Sequence, residues 1–212
     1  MRGKLITIEG TEGAGKSTAL AFIQTYLETH HRPVTMTREP GGTLMGEEIR
    51  NILLHAPKQE TLTPETELLL MFAARTQHIK QVVMPALQAG QWVVSDRYVD
   101  ASYAYQGGGR LLDQRAIAFL DHWLVAHCQP DLTLLFDLPV EVGLARAEAR
   151  GAGKDRIEQE KIDFFERVRQ AYLARAKEAP ERIKIINANQ PPEAVQAAVE
   201  ACIRTLMEHQ LQ

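Results

Sequence analysis

Residues 10–17 read Gly-Thr-Glu-Gly-Ala-Gly-Lys-Ser, a GxxxxGKS octapeptide between the apolar run LITIE (5–9) and a stretch of helical spacing that opens at Lys16. No other feature restricts the fold so narrowly. A strand, a glycine-rich turn and a helix in that order make a loop whose successive N–H groups face one concavity. The start of the helix adds the positive end of its dipole. Such a loop holds the phosphates of a nucleoside triphosphate. The backbone from Gly10 through Thr11, Glu12, Gly13, Ala14 and Gly15 wraps them. Lys16 reaches the β- and γ-phosphates, the Ser17 hydroxyl is placed to ligate Mg²⁺, and Thr18 follows in the first helical turn.

The rest of the chain continues the pattern. VTMTR (34–38), WVVSD (92–96), LTLLFDL (132–138) and IKII (183–186) join LITIE as short runs rich in β-branched and apolar residues, and predict five strands. Helical spacing runs between them over Lys16–Thr29, Gly46–Leu54, Glu65–Ala89, Gln114–His127, Val140–Arg150 and Asp163–Lys177. Thr63-Pro64-Glu65 predicts a helix start, with Thr63 as cap and Pro64 at the first position, and Pro85 should bend or shorten that helix. Gln106–Arg110 and Gly151–Asp155 read as glycine-rich loops. Strand and helix in alternation predict an α/β fold, a parallel sheet with helices on both faces and ligands outside the carboxyl ends of the strands.

Composition narrows the function classes. A chain of 212 residues suits one domain spanning 1–212, with 45% hydrophobic and 24% charged residues as in ordinary globular proteins. A net charge of −3 gives no footprint for a nucleic acid polymer or an anionic membrane. Cys128 and Cys202 form neither a disulfide framework nor a zinc motif, which fits a reducing cytoplasm. No apolar run predicts a signal peptide or a membrane span.

A phosphate loop serves ATPases, switches and kinases alike, so a second substrate has to be sought elsewhere. Arg38-Glu39-Pro40 ends the second predicted strand, and Arg50 lies on the helix after it. Phe72 and Arg75, three apart on one helix, put an aromatic plane beside a planar donor. Asp96-Arg97-Tyr98 ends the third strand, and Ser102, Tyr103, Tyr105 and Gln106 precede a triple glycine and Arg110. Together these residues suit an aromatic base and a phosphate. Each has a plainer reading as well, Phe72 as core and Asp96-Arg97 as an ion pair at a strand end.

EGTEGAGKST, TREPGGT, FAAR (72–75), SDRY (95–98), AYQGGGR (104–110) and RGAGKDRIE (150–158) together resemble the bacterial thymidylate kinases, nearly end to end. The resemblance implies the P-loop nucleoside monophosphate kinase fold and a homodimer. It also implies transfer of the γ-phosphoryl group of Mg-ATP to thymidine 5′-monophosphate (dTMP), which feeds dTTP biosynthesis. It implies that Arg50 and Arg97 clamp the acceptor phosphate, with Glu39 at the same site. Phe72 then stacks on thymine, Arg75 donates to its exocyclic oxygen, and Ser102 or Gln106 meets the ring edge. Tyr105 sits beside the sugar C2′, Asp96 assists magnesium or orients Arg97, and Arg146 lies against adenine beside the Asn187–Gln190 turn. The loop interior contains no arginine, so the chain resembles the subtype whose catalytic arginine comes from a lid at about 147–158. Arg150, Lys154 and Arg156 are the candidates there, with Glu12 facing the transferring phosphate. A kinase for another nucleoside monophosphate, or a P-loop ATPase or switch, is the rival reading.

Overall fold

A computed structural model describes residues 2–55, 61–149, 151 and 155–208. Five parallel strands, β1 (Leu5–Glu9), β2 (Val34–Arg38), β3 (Trp92–Asp96), β4 (Leu132–Asp137) and β5 (Ile183–Asn187), form one sheet in the order β2-β3-β1-β4-β5. Each predicted strand forms within one residue of its expected bounds. All five residues of β1 are buried, as its central place requires, and Ile6 pairs with both Val94 and Leu132. With β2 and β3 on one side of β1 and β4 and β5 on the other, a crevice opens at its carboxyl end.

Alternate residues of β1 serve opposite faces of the sheet. Ile6 and Ile8 meet α1 (Lys16–Thr29) through Ile23 and Leu27, and α9 (Pro192–Glu208) through Val199 and Ile203. Leu5 packs on the other face with Leu68 and Phe72 of α3 (Pro64–His78), Leu87 of α4 (Met84–Gln88) and Ile117 of α6 (Gln114–Leu124). Farther along that face, Leu135 and Ile183 lie under Phe165, Val168 and Tyr172 of α8 (Ile162–Glu178). Two shorter helices flank the crevice, α2 (Leu44–Leu54) and α7 (Val140–Ala149).

Three expectations need correction. The helix predicted over Glu65–Ala89 is divided by a π-helical turn at Ile79–Val83, because Pro85 has no N–H for the carbonyl one turn back. Thr63 caps its start as expected, accepting from the Thr66 N–H at 3.3 Å. The segment 102–110 is not a loop: α5 (Val99–Ser102) runs into a π-helix over Tyr103–Gly109. Its glycines let α8 come close, since a Cβ at Gly108 would sit 2.6 Å from the Ala171 Cβ. Lastly, α9 was not anticipated. Its signal was present in Val195, Val199, Cys202, Ile203 and Leu206, apolar at three- and four-residue spacing behind Pro192. Among the described residues no helix is long and apolar enough to cross a membrane.

Candidate active site

The octapeptide lies where the sequence places it, between β1 and α1 at the open end of the sheet. Gly13 has φ 72°, and a side chain there would collide with the carbonyl of Gly143 on α7. Gly15 has φ 84° and open space where its Cβ would be, which leaves the loop concavity clear for a ligand. Lys16 folds back over the loop, its Nζ donating to the Gly10 carbonyl at 3.0 Å and to Thr11 at 2.9 Å. Burial, followed by the neighbouring Arg97 charge, lowers its pKa to about 8.

A cavity of about 440 Å³ opens over this loop. At one end it is lined by Glu12, Gly13, Ala14, Gly15, Lys16, Ser17 and Thr18, with Arg146 of α7 beside them. Gly10 and Thr11 contribute backbone behind this lining, with Thr11 buried. Arg146 donates to the Ala188 carbonyl at 3.1 Å, which joins α7 to the turn after β5 where a base is expected. At the other end the cavity is lined by Glu39, Arg50, Asp96, Arg97, Tyr105 and Gln106. The two halves of the expected chemistry therefore share one enclosure.

Arg97 is the residue most constrained by its surroundings. It holds φ 68°, a conformation costly for a residue with a Cβ, fixed by its N–H on the Ile8 carbonyl and by the Ser95 hydroxyl on its own carbonyl. Its guanidinium donates to Glu12 at 2.8 Å and to the Gly10 carbonyl at 3.0 Å, with its Cζ 4.7 Å above the Tyr105 ring. Tyr105 in turn donates to Glu12 at 2.9 Å. Glu12 thus sits between the loop and the acceptor end. Arg50 donates to the Pro40 carbonyl at 2.9 Å.

Magnesium was expected at Ser17 and Asp96. Both line the cavity, and Asp96 Oδ1 is buried without a hydrogen-bond partner, as a group awaiting a cation or its water would be. Among the described residues no group of three or more His, Cys, Asp or Glu side chains could hold a metal. An ion at Ser17 and Asp96 would have to take most of its ligands from phosphate and water, which is the habit of Mg²⁺.

Part of the expected base pocket is displaced. Phe72 is 1% exposed, belongs to the core with Leu5 and Leu68, and does not line the cavity. The Arg75 Cζ does lie over its ring at 4.8 Å, as the three-residue spacing implies, but that shared face looks into the protein. Arg75 is 1% exposed and spends its donors on Glu39 at 2.6 Å, Ser102 at 2.9 Å and the Tyr98 carbonyl at 2.9 Å. Ser102 is fully buried in the same network, so both stand behind the cavity wall. Met71, one residue before Phe72 and about 100° around the helix, lines the cavity with Leu53, Leu54 and Glu67. The sequence reading missed these four.

The lid is also only partly as expected. Arg156 does not line this cavity. Its Nε donates to the Leu53 carbonyl at 2.9 Å and its Nη2 to Glu67 at 2.5 Å, because Glu67 is a buried carboxylate that needs cations. In this arrangement it ties the segment after α7 to α2 and α3, a different task from reaching the γ-phosphate. Arg150 and Lys154 lie outside the described residues.

Comparison with known proteins points to one family over nearly the whole chain. The sequence model of the thymidylate kinase family matches residues 8–199. A thymidylate kinase of Alkalilimnicola ehrlichii is 54% identical over 202 residues, covering 95% of this chain and 93% of its own. One of Pseudomonas entomophila is 54% identical over 208 residues, covering 98% of both. The crystal structure of thymidylate kinase from Ehrlichia chaffeensis superposes with a TM-score of 0.76 at 27% identity, covering 97% of this chain and 100% of that one. A family model matching most of the chain, and relatives more than half identical to it over nearly their full length, show that it belongs to the thymidylate kinase family.

Proposed function

We propose that the protein transfers the γ-phosphoryl group of ATP to dTMP, giving dTDP and ADP, a step that feeds dTTP synthesis. The observation that carries this reading is the single cavity joining the phosphate loop to Arg50, Arg97, Tyr105 and Gln106. ATP lies with its phosphates in the loop and its adenine by Arg146 and Ala188. The dTMP phosphate meets Arg50 and Arg97, whose forked donors suit a dianion. Its base lies against the apolar pair Met71 and Leu53, with Gln106 at the ring edge. Tyr105, its ring held edge-on by Phe164 and Tyr172, fills the space beside C2′ where a ribose hydroxyl would collide.

The accepting phosphate oxygen is ionised at neutral pH, so no strong base is required, and rate comes from alignment and charge neutralisation. Lys16 leaves the loop carbonyls for the β- and γ-phosphates, and Arg97 moves from Glu12 onto the acceptor phosphate. Glu12 keeps its bond to Tyr105. Ser17 and Asp96 would hold Mg²⁺, which when bound offsets charge on the bridging and terminal oxygens. A basic residue of the segment at about 147–158 supplies the charge that the phosphate loop, which contains no arginine, leaves out; with Arg156 committed to Glu67, Arg150 and Lys154 are the remaining candidates.

The chain works as one domain, and as a homodimer. Exposed Phe119 and Trp123 of α6 lie side by side, with exposed Leu69 on α3 and Ile52 on α2, and α3 packs on both helices. Cytoplasmic location fits the two free thiols of Cys128 and Cys202. ADP release measured with Mg-ATP and each nucleoside monophosphate in turn tests the substrate. dTMP should exceed dGMP, dCMP and AMP by orders of magnitude, and equal turnover of AMP refutes the assignment.

A further inference from the structure

We infer that Glu67 is a positioning residue that fixes which end of the Gln106 amide the nucleobase meets. The inference rests on dTMP as the acceptor. Glu67, in the first turn of α3, is 1% exposed, lines the acceptor end of the cavity and has no part in the chemistry above. Gln106, on the π-helix opposite, is also 1% exposed and donates through Nε2 to Glu67 Oε1 at 2.7 Å.

The two ends of a glutamine amide are nearly alike in shape and opposite in polarity. Glu67 decides between them. Its oxygens also accept from Arg110 Nε at 3.2 Å and from Arg156 Nη2 at 2.5 Å, so this carboxylate offers acceptors alone. The NH₂ end of Gln106 must therefore face Glu67, which leaves Oε1 as the other end. That oxygen is buried and has no partner in the protein. A buried acceptor left unmade costs about 1–3 kcal/mol, which a donor on the ligand recovers.

The pyrimidines divide on this point. Thymine carries an N–H at ring position 3, between two carbonyls, whereas cytosine carries a bare acceptor there. A fixed acceptor completes its bond with thymine and faces another lone pair in cytosine. Were the amide free to rotate, the NH₂ end would suit cytosine equally well. On this account Glu67 never touches the substrate, and it selects the imide base through Gln106.

The test compares kcat/KM for dTMP and dCMP in the full-length enzyme. Glu67→Gln replaces a pure acceptor by a group that can also donate, and frees Gln106 to rotate. The dTMP:dCMP ratio should fall at least tenfold, about one misplaced hydrogen bond. The double variant Glu67→Gln, Gln106→Glu restores the polarity, with the new amide donating to the new carboxylate and the carboxylate accepting from the base. It should recover the ratio to within about threefold, which simple loss of packing would not allow. A ratio in Glu67→Gln within twofold of the parent, or a double variant no better than the single one, overturns the inference. If Glu67→Gln does not fold, Gln106→Glu with Glu67 intact replaces it. Two facing carboxylates then share a proton, and KM for dTMP should rise with pH between about 5 and 8 as the parent's does not; a parallel profile overturns the inference. Failure of the parent itself to phosphorylate dTMP would refute the proposed function instead.

Discussion

Nucleotide binding should draw a proton onto Lys16. Without nucleotide its ammonium is half-buried on the Gly10 and Thr11 carbonyls, and burial, with Arg97 next in weight, lowers its pKa to about 8. Contact with the β- and γ-phosphates supplies opposite charge and returns the pKa to its ordinary range near 10. Only the protonated form binds phosphate well, so affinity is fully present below the lower pKa and is lost as pH rises through it. Linkage then gives an uptake of about 0.5 proton per nucleotide at pH 8 and about 0.8 at pH 9, and a Kd roughly tenfold weaker at pH 9 than at pH 7. Calorimetric titration with a non-hydrolysable ATP analogue, in two buffers of unlike ionisation enthalpy, measures the uptake directly. Glu9, whose pKa is pushed up to about 8 by burial and then by Asp100, titrates in the same range, so Glu9→Gln serves as a control beside Lys16→Ala. The uptake should survive in Glu9→Gln and vanish in Lys16→Ala. No uptake by the parent at pH 8, or full uptake by Lys16→Ala, would refute the reasoning.

Met71→Ala should raise KM for dTMP about tenfold and, since Met71 is buried against Ile49 and Leu53, also lower stability by roughly 2–5 kcal/mol, whereas Phe72→Leu should lower stability by roughly 1–3 kcal/mol and leave that KM nearly unchanged; a raised KM in Phe72→Leu with that of Met71→Ala unchanged would return the base platform to Phe72. Tyr105→Ala should relax rejection of the ribose monophosphate far more than Tyr105→Phe does, since bulk beside C2′ is the filter, and equal kcat/KM ratios in the two variants would exclude it. The native protein keeps a proton on Glu9 that the unfolded chain gives up near pH 4.5, so this residue's contribution to stability falls as pH rises toward 8. Between pH 6 and 8 the loss is roughly 2 kcal/mol, and Glu9→Gln, which keeps hydrogen-bonding groups for the Tyr98 N–H and the Tyr172 hydroxyl, should flatten it in denaturant melts. A parent and variant that change in parallel would contradict the Glu9 shift.

The sequence discloses this fold where one local pattern decides one element. The strands are short β-branched runs, four of the five ending at a charged residue, and each forms within a residue of its expected place. The octapeptide is equally legible, because its glycines, lysine and serine serve backbone geometry and phosphate contact within eight consecutive residues. The base end depends on which way a helix is turned. Phe72 and Arg75 do meet, as their spacing requires, but α3 is apolar nearly all round in the LLLMFAA stretch, so nothing local says whether Met71 or Phe72 faces the cavity. Packing of the far side of α3 against Leu5 and Ile117 settles it. The triple glycine 107–109 misleads for a related reason: beside charged residues it reads as a loop, but Gly108 and Gly109 let α8 approach. Arg156 could not be assigned from sequence because its partner, Glu67, lies 89 positions away.

Each cation lining the cavity already has an oxygen in the ligand-free protein. Lys16 holds two loop carbonyls, Arg97 holds Glu12 and the Gly10 carbonyl, Arg50 holds the Pro40 carbonyl and Arg146 the Ala188 carbonyl. These oxygens hold long, flexible side chains in set positions beside the cavity, so part of the entropic cost of ordering them is met in folding rather than in binding. Substrate phosphates then exchange with internal acceptors instead of ordering free side chains, and the attraction gained is the difference between the two sets of bonds. Neutral carbonyls give way readily to a dianion, but Glu12 is a full charge and competes with it. Its second bond, from Tyr105, gives it a partner to keep once Arg97 has moved to the acceptor phosphate. On the proposed assignment of Arg97 to the acceptor phosphate and Tyr105 to the sugar, one carboxylate joins both to the phosphate loop, and filling the acceptor site would reorganise charge next to the transferring phosphate when both substrates are present.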